Sequence, residues 1–190
     1  HNAIAVAGSR VFFIDSTLTP QQRQQLLQQD KSELASLTGA ARKLAEDRIK
    51  RMDARLAAAV DVKTGKRVWT QPIDVTDCTN VGIGAGELSL MVQEEHIVLG
   101  GANANGHYWN QFLKGDFKRR RLVVLAADDG HKVWARDANY RHRPIILGRE
   151  VIAEPWSFDL ETGIQRTRIH PLTGEASPWM FARPGHHCGA

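Results

Sequence analysis

The residues best suited to chemistry lie near the end of the sequence, where two histidines and a cysteine are consecutive. His186, His187 and Cys188 supply two imidazoles and a thiol, which are good ligands for zinc, copper or iron. Adjacent side chains of a strand point to opposite faces, so at most one histidine would readily join Cys188 in one site. With Cys78, these residues are the predicted candidates for metal contact, and structural packing is the alternative role.

The two cysteines do not by themselves define a disulfide or a redox compartment. Cys78 lies nine residues after Trp69. Cys188 lies nine residues after Trp179. Two thiols so far apart in the sequence leave both a free and a bridged state open. No Ser-His-Asp or paired-carboxylate arrangement can be assembled from spacing, so no catalytic residue is assigned.

The elements that must position these residues are organised around a repeated unit of strand, turn and strand. Residues 59–69 are the clearest copy, and residues 124–134 keep the same four-residue interval from glycine to tryptophan. Residues 157–163 repeat the first half, but Thr167 stands where the tryptophan would be. Residues 172–179 form a looser copy with one extra residue. Recurrence of one such unit indicates a repeat architecture.

The pattern Ala-x-Asp-x-x-Thr-Gly-x-x-x-Trp resembles the tryptophan-docking motif of the pyrroloquinoline-quinone-like (PQQ-like) β-propeller repeat family. The resemblance implies an all-β fold, namely a partial propeller of about three four-stranded antiparallel blades. It also implies that the motif covers the two outer strands of a blade and that its tryptophan packs on the next blade. The matching residues, copy by copy, are Ala59, Asp61, Thr64, Gly65 and Trp69; Gly130 and Trp134; Asp159, Thr162 and Gly163; and, more loosely, Trp179.

On this interpretation residues 1–190 are part of one propeller domain with two insertions. Three blades cannot close a ring, because propellers usually have four to eight, so we expect a piece of a longer protein. Residues 20–57 are predicted to be a helical insertion within the first blade, since Thr19 is a plausible N-cap and Pro20 a plausible first helical residue. Residues 103–120 are predicted to be a loop insertion within the second blade.

Apolar residues at three- and four-residue steps predict which face of the helical insertion is buried. The insertion would be an arm packed on the blade edge or on itself, or alternatively a docking arm for a partner helix. The residues of this predicted stripe are Leu27, Leu34, Leu37, Ala41, Leu44, Ile49, Met52 and Leu56.

Composition restricts the classes of partner. The net charge of +4 and pI near 9.3 permit an acidic partner without requiring one. The basic run at residues 118–121 is interpreted as a loop edge leading into a strand, and nucleic-acid binding is not predicted because no extended basic face with interleaved aromatics is visible. No apolar run reaches the roughly 18–20 residues of a membrane span.

The docking motif is structural, and the first functional hypothesis is a binding or scaffold module without chemistry in this segment. Its partners would be a protein or a small-molecule ligand, together with the remaining blades of the same chain. One alternative is part of a PQQ- or metal-dependent oxidoreductase whose active site is completed by blades outside this sequence. Another is a propeller for cell-envelope assembly or sensing. The cofactor is left unknown, since no residue here can be matched to the adjacent cysteines or calcium-binding side chains of the quinone enzymes. A periplasmic or otherwise extracytoplasmic location is implied by resemblance only.

Overall fold

The computed structural model describes residues 3–79, 87–101, 113–114, 120–140 and 142–180. Within these ranges the chain forms thirteen strands and two helices, and its three main sheets are antiparallel. The fold is all-β and is a partial β-propeller with a helical hairpin. Most of the predicted 103–120 insertion lies outside the described residues, as do His186, His187 and Cys188.

The first sheet, blade 1, has four strands in sequential order. These are β1 (Ile4–Ala7), β2 (Arg10–Asp15), β3 (Ala54–Asp61) and β4 (Arg67–Asp74). Burial alternates along the consecutive apolar residues of β2, so that one side of the strand is buried and the other half-buried. A register shift between Ala59 and Val60 marks a β-bulge just before the turn into β4.

The second sheet, blade 2, repeats the same order. Its strands are β5 (Leu88–Gln93), β6 (His96–Gly101), β7 (Arg121–Ala126) and β8 (Lys132–Asp137). All of β7 is buried, because blade 2 lies between its neighbours and is covered on both faces. The β7–β8 pair has a register shift between Val124 and Leu125, as the corresponding pair of blade 1 does.

The third sheet, blade 3, differs from the four-stranded expectation. It contains β9 (Ile145–Leu147), β10 (Glu150–Ala153) and β11 (Trp156–Asp159), and a single bridge from Phe158 to Gln165 replaces the fourth strand. Beyond Arg166 the chain leaves the blade and pairs with itself. The resulting hairpin comprises β12 (Thr167–Ile169) and β13 (Ala176–Pro178).

Two helices lie between β2 and β3, which are hydrogen-bonded neighbours. They are α1 (Pro20–Ala35), with the predicted N-cap at Thr19 in a complete capping box, and α2 (Gly39–Lys50). Residues 54–57, which the sequence placed in the helical insertion, belong to β3 because Ala54 to Ala57 pair with β4. Neither described helix is long and apolar enough to cross a membrane.

The buried face of α1 is also shifted from the predicted stripe. Leu26 and Asp30 are its buried residues, whereas Leu27 and Leu34 are only half-buried. Leu44 of α2 is 48% exposed. The rotation of α1 about its own axis is therefore set by contact with β4 rather than by the row of leucines.

Two apolar cores lie at the blade junctions. One joins blade 1 to blade 2, and the other joins blade 2 to blade 3. The first includes Phe12, Ile14, Leu90, Ile97, Leu99 and Leu125, and the second includes Val98, Leu122, Val124, Val151 and Phe158. The inner strands β1, β5 and β9 are neighbours in that order, as expected for blades arranged around an axis.

Candidate interaction site at the blade corners

Each outer hairpin turns through a six-residue segment that we call a corner. In corner 1, residues 61–66, Oδ1 of Asp61 accepts hydrogen bonds from the Thr64 hydroxyl at 2.8 Å and from the Thr64 and Lys63 amides at 2.8 and 3.1 Å. The Gly65 amide donates to the Asp61 carbonyl oxygen. Gly65 has φ +66°, which glycine adopts without strain, so Asp, Thr and Gly at this spacing specify the turn.

The same backbone hydrogen bonds recur in three further corners. Corner 2 comprises residues 126–131, corner 3 residues 159–164 and corner 4 residues 170–175. In corner 3 the Thr162 hydroxyl and amide donate to Asp159, and these hydrogen bonds lower the pKa of the Asp159 carboxyl. In corner 4 Nδ1 of His170 accepts two backbone amides in place of the carboxylate. The corner is thus a conserved geometry within this chain, although its side chains vary.

Corner 2 is filled by a tryptophan from blade 1. The indole Nε1 of Trp69 donates to the Ala127 carbonyl oxygen at 3.1 Å. A Cβ placed on Gly130 would lie 2.5 Å from the Trp69 ring, so only glycine admits the ring at this distance. Nη1 of Arg10 donates to the same carbonyl oxygen at 2.9 Å, so two side chains of blade 1 donate hydrogen bonds to one oxygen of blade 2.

Corner 3 is filled in the same way by blade 2. Nε1 of Trp134 donates to the Leu160 carbonyl oxygen at 2.8 Å. A Cβ on Gly163 would lie 2.7 Å from the Trp134 ring. In both filled corners the accepting carbonyl belongs to the residue three positions before the glycine, and the glycine is buried.

Corner 1 has the same backbone but no ring in it. A Cβ on Gly65 would meet no atom within 4 Å, and Gly65 is exposed. The carbonyl at the accepting position is that of Val62, whose side chain is 50% exposed. The Val62 amide donates to Ser9, just as the corresponding amide of Ala127 donates to Glu95. Corner 1 therefore has the shape of an indole site that no described residue occupies.

Corner 4 does not receive a tryptophan from the described residues. A Cβ on Gly174 would meet no atom within 4 Å. Thr167 stands at the position from which blade 3 would project an indole, four residues after Gly163. Trp179 is 40% exposed, and the guanidinium of Arg166 lies 4.9 Å from its ring centre.

Cys78, the predicted metal candidate among the described residues, lies in the core between blades 1 and 2. It lies fully buried after β4, and the backbone of Gly101 packs directly against its carbonyl. Burial raises the pKa of the Cys78 thiol to about 12, so the thiolate that binds metals is disfavoured. The other three candidates, His186, His187 and Cys188, lie outside the described residues, so a metal site that includes them stays a prediction.

This burial predicts a thiol that does not react in the folded protein. In a Cys188→Ser variant at about pH 8, Ellman's reagent is expected to leave Cys78 unlabelled until guanidinium chloride unfolds the chain, because access and ionisation are both suppressed. Labelling of one thiol per folded chain at the rate of the unfolded control would contradict the buried placement.

A different group of possible metal ligands lies on corner 2, and the sequence did not single it out. One ligand atom from each of Asp128, Asp129 and His131 lies within 4.8 Å of the others. All three are exposed, and Nδ1 of His131 is 2.7 Å from Oδ1 of Asp129. Asp128 and His131 border a cavity of about 710 Å³ between blades 1 and 2, which Arg10 and His96 also line. The two aspartates lie in a turn, where aspartate is common for structural reasons, so the sequence did not indicate a metal site here.

No protein-family model matches this sequence, and no curated protein sequence matches it. A solved structure to which the chain is similar is BamB from Moraxella catarrhalis, with 15% sequence identity and a TM-score of 0.34. The similarity covers 58% of this chain and 30% of that one. This chain thus spans less than a third of BamB. The propeller fold itself is seen in the sheets and filled corners described above.

Proposed function

We propose that this chain is part of a β-propeller that serves as a binding or scaffold module, and that blade 1 receives a further blade bearing an indole. The observation that carries the proposal is corner 1. It repeats the backbone of corners 2 and 3 but has open space where they hold the rings of Trp69 and Trp134.

The sheet face beside corner 1 supports this proposal. Strand register places Ile4 with Phe13, and Val6 with Val11, on the face of blade 1 turned away from blade 2. Ile4 is 54% and Val6 is 67% exposed. Contiguous exposed apolar residues of this kind mark interaction surfaces. The corresponding face of blade 2 is covered by blade 1. The packing of blade 1 on blade 2 is therefore the geometry in which a further blade would cover the open face of blade 1.

The proposed occupant is a blade with a tryptophan on its outer strand. A second copy of this chain would offer blade 3, whose outer segment presents Thr167 where the indole is needed. Threonine can neither fill the space over Gly65 nor donate an N–H to the Val62 carbonyl. We therefore assign the surface to a further blade, in the same polypeptide or in a partner, rather than to a copy of blade 3.

Photo-cross-linking in the intact protein from its native cells tests the proposal. Replacing Lys66 with p-benzoylphenylalanine puts the reactive group directly after Gly65. We expect it to capture a peptide in which a tryptophan follows a glycine by four residues. Adding Gly65→Asn is expected to remove this product, because asparagine tolerates the left-handed backbone and its side chain takes the place of the ring.

The matched control uses the filled corner. His131 occupies in corner 2 the position that Lys66 occupies in corner 1, so p-benzoylphenylalanine at position 131 should capture the peptide that carries Trp69. Capture by the control together with no tryptophan-bearing product from position 66 would overturn the proposal. So would a position 66 product that Gly65→Asn leaves unchanged.

Three further statements about function stay predictions from the family resemblance. They are the PQQ- or metal-dependent oxidoreductase, the cell-envelope assembly or sensor propeller, and the extracytoplasmic location.

A further inference from the structure

The helical hairpin of blade 1 reaches across to blade 2. Nζ of Lys132 donates to Oε1 of Glu33 at 2.5 Å, and Nη2 of Arg48 donates to Oδ1 of Asp137 at 2.6 Å. Lys132 and Asp137 are the first and last residues of β8. Since α1 also packs on β4, the hairpin touches the outer strands of both blades and ties one to the other.

Beneath this crossing, α1 buries a carboxylate. Asp30 lies one helical turn after Leu26, and the two are its buried residues, at 9% and 3% exposure. Oδ2 of Asp30 has no hydrogen-bond partner among the described residues. A buried unpaired polar atom costs free energy, so its position in the packed face of the helix calls for an explanation.

Charged groups from every surrounding element face Asp30. Asp74 comes from β4, Arg121 from β7, Lys132 from β8 and Glu33 from α1 itself. Nη1 of Arg121 is already paired with Oδ2 of Asp74 at 2.8 Å, in a buried ion pair between the blades. A cavity of about 20 Å³, large enough for one water molecule, lies among these groups.

The environment therefore favours the neutral form of Asp30. Burial, and next the negative charge of Asp74, raise the pKa of the Asp30 carboxyl to about 6. In an undocked helix the carboxyl would return to an ordinary pKa of about 3.9. Between these values the docked state binds the extra proton, so docking is strongest in acid and weakens as pH rises through about 6.

We propose that the helical hairpin is a proton-dependent strap across the junction of blades 1 and 2, with Asp30 as the group that takes up the proton when the strap closes. Release of the strap breaks the pairs of Glu33 with Lys132 and of Arg48 with Asp137. It uncovers the outer seam between β4 and β8 while the tryptophan in corner 2 still holds the blades together.

Hydrogen exchange of the α1 amides tests the strap. Protection factors, corrected for the intrinsic exchange rate, would be measured from about pH 4.5 to about pH 7.5. We expect those of α1 to fall by up to about tenfold per pH unit as pH rises toward 6, and then to level off. Amides of β7 serve as an internal reference, and their protection factors are expected to stay constant while those of α1 fall.

Three variants separate the strap from other causes. Asp30→Asn is nearly isosteric with the protonated acid, so it should abolish the pH dependence and keep acid-like protection at about pH 7.5. Asp47→Asn, at a half-buried carboxylate of α2 that pairs with Lys50 of the same helix, should retain the wild-type profile. Glu33→Gln should lower α1 protection because the pair with Lys132 is lost, and protection should still fall as pH rises because Asp30 remains buried. A flat wild-type profile would refute the proposal, as would a wild-type slope in Asp30→Asn.

Discussion

Replacing Trp134 with alanine is expected to lower the free energy of unfolding by about 3–5 kcal/mol, because the half-buried ring packs against the core between blades 2 and 3. The ring lies against Gly163 of the next blade, and its Nε1 donates to the Leu160 carbonyl oxygen at 2.8 Å. Truncation removes both contacts and opens a cavity in the core between blades 2 and 3. Trp69→Ala should have a similar effect at the junction of blades 1 and 2.

Chemical denaturation measures both changes, and the chain supplies its own control. Trp179→Ala makes the same truncation at a tryptophan that is 40% exposed and docks on no corner, so its midpoint should shift far less. Denaturant midpoints of Trp69→Ala and Trp134→Ala that match that of Trp179→Ala would show that the rings do not hold the blades together.

Replacing the corner glycines with alanine is the second change with a large expected effect. The four glycines share one backbone conformation, but only two of them contact a tryptophan ring among the described residues. Their φ values lie between +66° and +80°. In the isolated chain, without a further blade on corner 1, Gly65→Ala and Gly174→Ala should each cost only the left-handed strain of about 1–2 kcal/mol. Gly130→Ala and Gly163→Ala should cost about 1–3 kcal/mol more, because a Cβ would lie 2.5 and 2.7 Å from a tryptophan ring and must displace it.

A double-mutant cycle separates strain from collision. Once Trp69→Ala has removed the ring, the additional cost of Gly130→Ala should shrink to that of Gly65→Ala, because only backbone strain remains. Equal costs for all four single variants, or additivity of Trp69→Ala with Gly130→Ala, would contradict ring packing at the corner.

Local rules of sequence predicted the corners well. Asp61, Thr64 and Gly65 specify a turn through hydrogen bonds and a positive φ that involve only near neighbours, so six residues suffice to recognise it. The position of the Trp69 indole was harder to predict, because the carbonyl oxygen that accepts its hydrogen bond lies 58 residues away. Only the repeat indicated that the ring packs on the next blade. Arg10, which reaches the same carbonyl, carried no sequence signal of this kind.

The buried face of the helical hairpin could not be predicted in this way. The row of leucines favoured a stripe through Leu27 and Leu34, but contact with β4 selects Leu26 and Asp30 instead. A helix with so many glutamines has a weak apolar preference, so tertiary packing decides its rotation. Aspartate is almost never fully buried unless it is paired, so rules based on residue type place it on the surface. For this reason Asp30 was not predicted to be buried.

Docking of each tryptophan on the following corner gives the array of blades a direction, like subunits joined head to tail. Such heterologous contacts can extend without limit into fibres when every unit has both a donor and an acceptor. This chain has an open acceptor at Gly65, and its described blade 3 has Thr167 at the donor position. Blade 3 of one copy therefore cannot donate an indole to corner 1 of another, and blades 1 to 3 alone cannot form a fibre through this contact.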